Sequence, residues 1–206
     1  MAFMPDTQVL LALVSTAIAT AATPGPNNLL MLSTAASFGR MRALPVYLGI
    51  CLGFPFMVLV VSATVHVFGQ QMLQGMEYLR WAGAAFLLTI AWKLFTAAPG
   101  GHVAEAENDE TEGGAGRNRP VSFWQVVLLQ WLNPKAWGMA AATTAIAGQA
   151  WLLPAAVYFV VIFPAVGIWY LSGGLLRRHV LGTPYERHLN RAMALLLALS
   201  VVMIVW

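Results

Sequence analysis

Charge is scarce in this chain. Of its 206 residues only 8 are Asp or Glu and 11 are Lys or Arg, 9% in all, while 59% are hydrophobic. Ordinary soluble domains are about 25% charged and about 45–50% apolar, so the composition excludes a soluble enzyme. A net charge of +3 is too small for the clustered Lys/Arg face of a nucleic-acid binder, and no nucleic-acid partner is expected. The single cysteine, Cys51, excludes an internal disulfide, a CxxC redox pair and a thiolate metal cluster. The apolar runs contain no HExxH pattern, no pair of acids and no evident Ser–Lys arrangement. Neither a catalytic residue, a metal nor a cofactor is expected.

What remains is a polytopic membrane protein, with lipid as its surroundings. A helix needs roughly 20 mostly apolar residues to cross about 30 Å of hydrocarbon. Six stretches qualify: 7–38, 43–68, 76–95, 121–147, 151–176 and 189–206. The first is too long for one straight crossing and contains Pro24-Gly25-Pro26, which marks it as a broken helix. Nine of the eleven basic residues alternate onto one side. They are Arg40 and Arg42, then Lys93, Arg117 and Arg119, then Arg177, Arg178, Arg187 and Arg191. Lys and Arg near span ends favour the cytoplasm, so both termini are expected outside. Most of the eight tryptophans, Trp81, Trp151 and Trp206 among them, read as interfacial anchors.

One long polar stretch, 97–120, contains four Glu and one Asp between Glu105 and Glu112. Clustered carboxylates can bind a metal or carry regulation, but this segment has no apolar area to bury. It reads as a cytoplasmic, disordered linker between 1–96 and 121–206. Each half has three spans, so the halves enter the membrane in opposite directions, the geometry of inverted repeats in secondary transporters. Two echoes support this. Pro24-Gly25-Pro26 in the first span corresponds in position to Asn133-Pro134-Lys135 in the fourth, and Phe54-Pro55 precedes Phe163-Pro164 by 109 residues. The expected fold is therefore all-α: six transmembrane helices in two inverted three-helix repeats, with the first and fourth helices broken.

The breaks are the candidate site, because irregular backbone at membrane depth is tolerated only inside protein or along a wet cavity. Asn133 lies about 18 Å along the helix from residue 121, near mid-bilayer. Asn is a favoured N-cap and Pro suits the first helical position, so Asn133 and Pro134 start a half-helix whose N-terminus suits an anion. Lys135 adds a full positive charge that costs at least about 2.5–3.5 kcal/mol to insert. No Asp or Glu lies deep in any span; Asp6, Glu77 and Glu186 sit near span ends. A substrate carboxylate would compensate Lys135; carbonyls freed at the breaks, or snorkelling toward the cytoplasm, are the structural alternatives, and an intramembrane ionisable group is read first as a site. Pro24, Gly25 and Pro26 release backbone groups in the same way, and Asn27 or Asn28 can cap the half-helix that follows. Their amides suit the two ends of a zwitterion or local backbone groups. The GxxxG from Gly49 to Gly53 admits close packing within the chain or a homo-oligomer contact. His66 reads as an interfacial histidine or a proton sensor, and Glu77 with Arg80 as a helix-surface pair.

These residues carry a resemblance. Thr23-Pro24-Gly25-Pro26-Asn27-Asn28-Leu29-Leu30, Phe38-Gly39-Arg40 and Leu48-Gly49 through Gly53 resemble the first two spans of the lysine exporter (LysE/RhtB) family. The third span resembles the family's over Leu79 to Leu88 with Ala91-Trp92-Lys93, and the fourth over Gln130-Trp131-Leu132-Asn133-Pro134-Lys135-Ala136-Trp137. The resemblance implies a bacterial inner-membrane exporter of amino acids or close derivatives, driven by the proton gradient, with a small-molecule substrate at Pro24, Gly25, Pro26, Asn27, Asn28, Asn133, Pro134 and Lys135. Many members carry Asp where this chain has Asn27, which favours a neutral over a cationic amino acid. A channel or a non-transporting membrane subunit is the alternative.

Overall fold

The computed structural model describes residues 6–69, 120–179, 183 and 185–205, with a helical stripe at 81, 84, 85, 88, 89, 91, 92, 95 and 96. Glu77, Arg80, Lys93, Trp206 and all of the linker but Pro120 lie outside the described residues. Among the described residues the chain is all-helical, with seven helices: α1 (Thr7–Ala22), α2 (Pro26–Phe38), α3 (Arg40–Phe68), α4 (Phe123–Leu132), α5 (Pro134–Ala147), α6 (Leu153–His179) and α7 (Tyr185–Val205).

Local signals start and stop these helices. The Asp6 carboxylate accepts from Gln8 N at 3.2 Å and caps α1. Ser122 and Gln125 form a reciprocal capping box at the start of α4, at 3.3 and 2.9 Å. Such a box satisfies two of the donors that a helix N-terminus leaves without intrahelical partners. Gly39 separates α2 from α3 with φ of 82°, a left-handed conformation that a side chain resists.

Two helices, α3 and α6, are long and apolar enough to cross a membrane, and α1 with α2, bent by 47° at their break, are so when taken together. The expected break in the first apolar run is therefore present. The fourth run is interrupted at Asn133, between the 10-residue α4 and the 14-residue α5.

Helix α3 lies at the centre, packed against α6, α4, α2 and α5. Its two glycines face α4: a Cβ on Gly49 would lie 2.9 Å from Val126 Cβ, and one on Gly53 3.2 Å from Val127 Cα. The GxxxG thus serves packing within the chain, and Cys51 is fully buried in the same core. Polar ties pin the helices at several levels. Ser62 and Thr144 hydroxyls meet at 2.8 Å, joining α3 to α5. The Tyr47 hydroxyl donates to the Phe163 carbonyl at 2.9 Å, the Arg40 guanidinium to the Leu171 carbonyl at 3.1 Å, and Tyr170 to the Arg40 carbonyl at 2.9 Å. The opposite face of α6 exposes Phe159, Val160, Ile168, Leu171 and Leu175, a continuous apolar surface that suits lipid rather than water. His66 stacks on Trp151 with ring centroids 5.5 Å apart.

Candidate functional site

The two helix breaks meet. Asn133 is the N-cap of α5, its side-chain oxygen accepting from Lys135 N at 3.1 Å, and Pro134 occupies the first helical position. This is the local structure that Asn-Pro dictates: the cap satisfies one orphan donor and the proline has none to satisfy. Lys135 therefore leaves α5 in its first turn and reaches across to the other break. Its ammonium donates to the Thr23 carbonyl at 3.0 Å, to Thr23 Oγ1 at 2.8 Å and to the Pro24 carbonyl at 3.3 Å. The carbonyls freed at the break thus supply one of the compensations that the sequence left open for Lys135. Hydrogen bonds to a charged group contribute about 1.5–3 kcal/mol each, so three of them offset an insertion cost of about 2.5–3.5 kcal/mol without an acid.

Gly25 is what lets the lysine lie there. A Cβ at this position would stand 2.9 Å from both Nζ and Cδ of Lys135. Gly25 is also the N-cap of α2, with Pro26 at the first helical position. Neither Asn27 nor Asn28 caps the helix, contrary to the expectation from sequence; both fall in its first turn, and their side chains turn elsewhere. The Asn28 amide, almost fully buried, donates backward to the Ala21 and Thr23 carbonyls, both at 2.8 Å. It closes the C-terminal end of α1, where carbonyls lack intrahelical donors. The Asn27 amide donates to Gln130 Oε1 at 2.7 Å, and Gln130 returns a longer contact at 3.5 Å while also donating to the Val126 carbonyl at 3.0 Å.

Between the breaks lies a small cavity, lined by Gly25, Pro26, Asn27, Asn28, Asn133 and Lys135 with Thr20, Ala21, Ala136 and the apolar Ile50, Phe54, Met139, Ile162 and Val166. Six of the eight residues expected from sequence line it. Pro24 takes part only through its carbonyl, and Pro134 is buried at the start of α5. The space open to the centres of water molecules is about 20 Å3, room for one or two waters. An amino acid does not fit until the walls move. No acidic side chain lines the cavity among the described residues, and no cluster of metal-binding side chains occurs among them. The first turns of α2 and α5 border it, as does the last turn of α1. N–H donors of two helix starts and one ammonium therefore lie at hand for a carboxylate, with the carbonyls that end α1 beside them.

Sequence reasoning left out Thr23, Gln130 and Thr20. Gln130 carried a signal, as a fully buried amide inside the apolar helix α4, three residues before Asn133. Thr20 bonds the buried Tyr158 hydroxyl at 3.2 Å, and Phe54 meets the Tyr158 ring edge-on with centroids 4.8 Å apart. These contacts lie against one side of the cavity, and nothing in their spacing along the chain announces them.

Residues 18–205 match the family model described as LysE type translocator. Curated relatives include the cysteine/O-acetylserine efflux proteins of Escherichia coli strain HS and of Shigella sonnei. Each is 33% identical to this chain over 192 residues, 90% of this chain and 91% of the relative. No solved structure matches.

Proposed function

The chain belongs to the LysE type translocator family, a family of transporters and not of enzymes, and from that premise we propose that it exports neutral amino acids or close derivatives. The observation that carries this reading is the convergence of Lys135 and two half-helix N-termini on one cavity with no acidic side chain among the described residues that line it. Lys135 takes the substrate carboxylate, while Asn27, Asn28 and Asn133 orient the rest. The relatives act on cysteine and O-acetylserine by name, both neutral at the side chain, in keeping with Asn27. The proposed frame is six transmembrane helices in two inverted repeats, 1–96 and 121–206, joined by a cytoplasmic linker, with both termini outside the bacterial inner membrane. The halves rock about the broken helices in alternating access, and the proton gradient drives export.

Everted membrane vesicles test this, because export from the cell becomes accumulation inside them. Saturable, gradient-dependent accumulation of neutral amino acids is expected. Non-saturable flux would replace the carrier with a channel, and a preference for lysine or arginine would overturn the side-chain argument.

Two substitutions probe the cavity wall. In Asn27→Asp a carboxylate replaces the amide beside Gln130 and adds a negative charge to a cavity that has none among its described lining residues. Lysine is expected to compete poorly for wild-type uptake and at least about tenfold better in this variant, the effect of about 1.4 kcal/mol. Unchanged lysine competition would remove Asn27 from the side-chain subsite. Gly25→Ala keeps an extended backbone that any residue adopts, but its Cβ displaces the end of the flexible Lys135 side chain. Folding is expected to survive, with Tm within about 2–4 °C of wild type, while uptake falls about tenfold or more. Wild-type uptake by this variant would show that the resting position of Lys135 is immaterial.

A further inference from the structure

The ammonium of Lys135 is bound in the structure as a ligand would be. Its three donors meet three uncharged oxygens, at 3.0, 2.8 and 3.3 Å, on Thr23 and Pro24. We propose that these oxygens are the subsite for the substrate's α-ammonium, and that Lys135 occupies it as a tethered stand-in until substrate arrives. This rests on the amino-acid reading of the cavity and adds Thr23 to it as a specificity-determining residue.

The chemistry of the two ammonium groups is the same: a tetrahedral cation with N–H donors and no acceptor. What differs is the tether. The Lys135 side chain lies against Gly25, and the space left beside it has room for only one or two waters, so substrate enters only as the side chain withdraws. That withdrawal does two things together. It frees the three oxygens for the α-ammonium, and it brings the lysine cation to the carboxylate of the same molecule. A zwitterion rewards both steps. A hydroxy acid or an N-acylated amino acid supplies the carboxylate but no ammonium, and so gains none of the charge-assisted hydrogen bonds that the Thr23 and Pro24 oxygens offer. Contacts that do not involve the lysine also hold the subsite in shape. The Asn28 amide holds the Thr23 carbonyl at 2.8 Å from the other side and is itself anchored on the Ala21 carbonyl. Thr23 Oγ1 donates to the Thr20 carbonyl at 2.8 Å, which leaves its lone pairs for an incoming donor. Asn28 is thus a positioning residue, and Thr23 the contact.

Thermal unfolding of the purified full-length protein tests the subsite without transport. In Lys135→Ala and Lys135→Met the oxygens are vacated, and ethylammonium in excess is expected to raise Tm by about 2–4 °C. Wild type, with its own ammonium in place, should not respond. Tetraethylammonium, which has no N–H donors, should move none of them, and adding Thr23→Val to either variant should cancel the shift. The methionine variant keeps the test open where alanine fails to fold. An equal shift in wild type, or none in either variant, overturns the proposal. In everted vesicles Thr23→Val should raise the half-saturation concentration of the amino acid about tenfold and leave inhibition by the matching hydroxy acid unchanged, with Thr23→Ser restoring wild-type values. Equal weakening of both ligands would also overturn it. Wild-type vesicles that accumulate no amino acid would sink the export reading instead, while the ethylammonium shift still decides the subsite.

Discussion

Replacing Lys135 by alanine is expected to reduce transport by at least about 30-fold while leaving the protein inserted and folded. Truncating one partner of a buried, hydrogen-bonded charge pair costs about 2–5 kcal/mol, and the lower figure alone is about 30-fold. Folding is expected to survive because the lysine does not build the break it spans. Asn133 caps α5 and Pro134 opens it, the Asn28 amide remains on the Ala21 and Thr23 carbonyls, and alanine is the best of helix formers. Removing the ammonium also removes an insertion cost of about 2.5–3.5 kcal/mol, which balances much of the hydrogen bonding lost. Lys135→Arg separates charge from shape. It keeps the cation, but a planar fork replaces a compact ammonium, so the three oxygens of Thr23 and Pro24 are no longer matched, and partial transport is expected. The measurement is initial uptake into everted vesicles, normalised to folded protein by size-exclusion chromatography in detergent. A well-folded Lys135→Ala protein with wild-type uptake would remove the lysine from the substrate site.

How far the sequence led depends on what kind of information each feature needs. The break at residues 23–25 and the half-helix start at Asn133 were both legible, because proline chemistry and N-cap preference act within a few residues of the chain. The special standing of Lys135 was legible too, from its cost in an apolar run and the lack of nearby acids. The partners of these residues were not. Asn28 bonds backward across the break and Asn27 reaches Gln130, 103 positions away, and both depend on which face of α2 meets which neighbour. Periodicity reports that face only when a helix has a polar side, and the helices here are apolar nearly all round. For the same reason the sequence did not say which carbonyls Lys135 would reach or which helix the GxxxG of α3 would meet, and tertiary contacts were needed to find them. The close approach of α2 to α6 left no mark at all, since a glycine in an apolar helix looks the same whether it packs or faces lipid.

That approach supports a second large effect, on stability. At Gly173 of α6 a Cβ would lie 2.5 Å from the Leu32 carbonyl oxygen, 2.6 Å from Ala35 Cβ and 3.1 Å from Ala36 N. Two of those three atoms are backbone and the third is already the smallest of side chains, so nothing local can yield and α2 must move. Overpacking of this kind costs about 1–3 kcal/mol, and a β-branched residue belongs at the upper end. Gly173→Val is therefore expected to lower Tm by about 6–12 °C, at about 2–4 °C per kcal/mol for a chain of this length. Gly173→Ala should fall between that variant and wild type. Gly167→Ala, on the same helix, is the control: its Cβ would meet only the Tyr47 hydroxyl, at 3.7 Å, an ordinary contact, and Tm should hold. Gly174→Ala is intermediate in kind, since its Cβ would strike the mobile end of Arg40 and displace the bond to the Leu171 carbonyl without forcing backbone apart. The order Gly173→Val, Gly173→Ala, Gly174→Ala, Gly167→Ala, from most to least destabilised, is what close α2–α6 packing requires. Equal Tm values for the valine variant and wild type would mean the two helices stand further apart. Because the first turn of α2 carries Asn27 and Asn28, the same displacement should reach the cavity. Whatever fraction of Gly173→Ala remains folded is then expected to transport more slowly per molecule than Gly167→Ala, linking a contact on the C-terminal half of α2 to the site at its start.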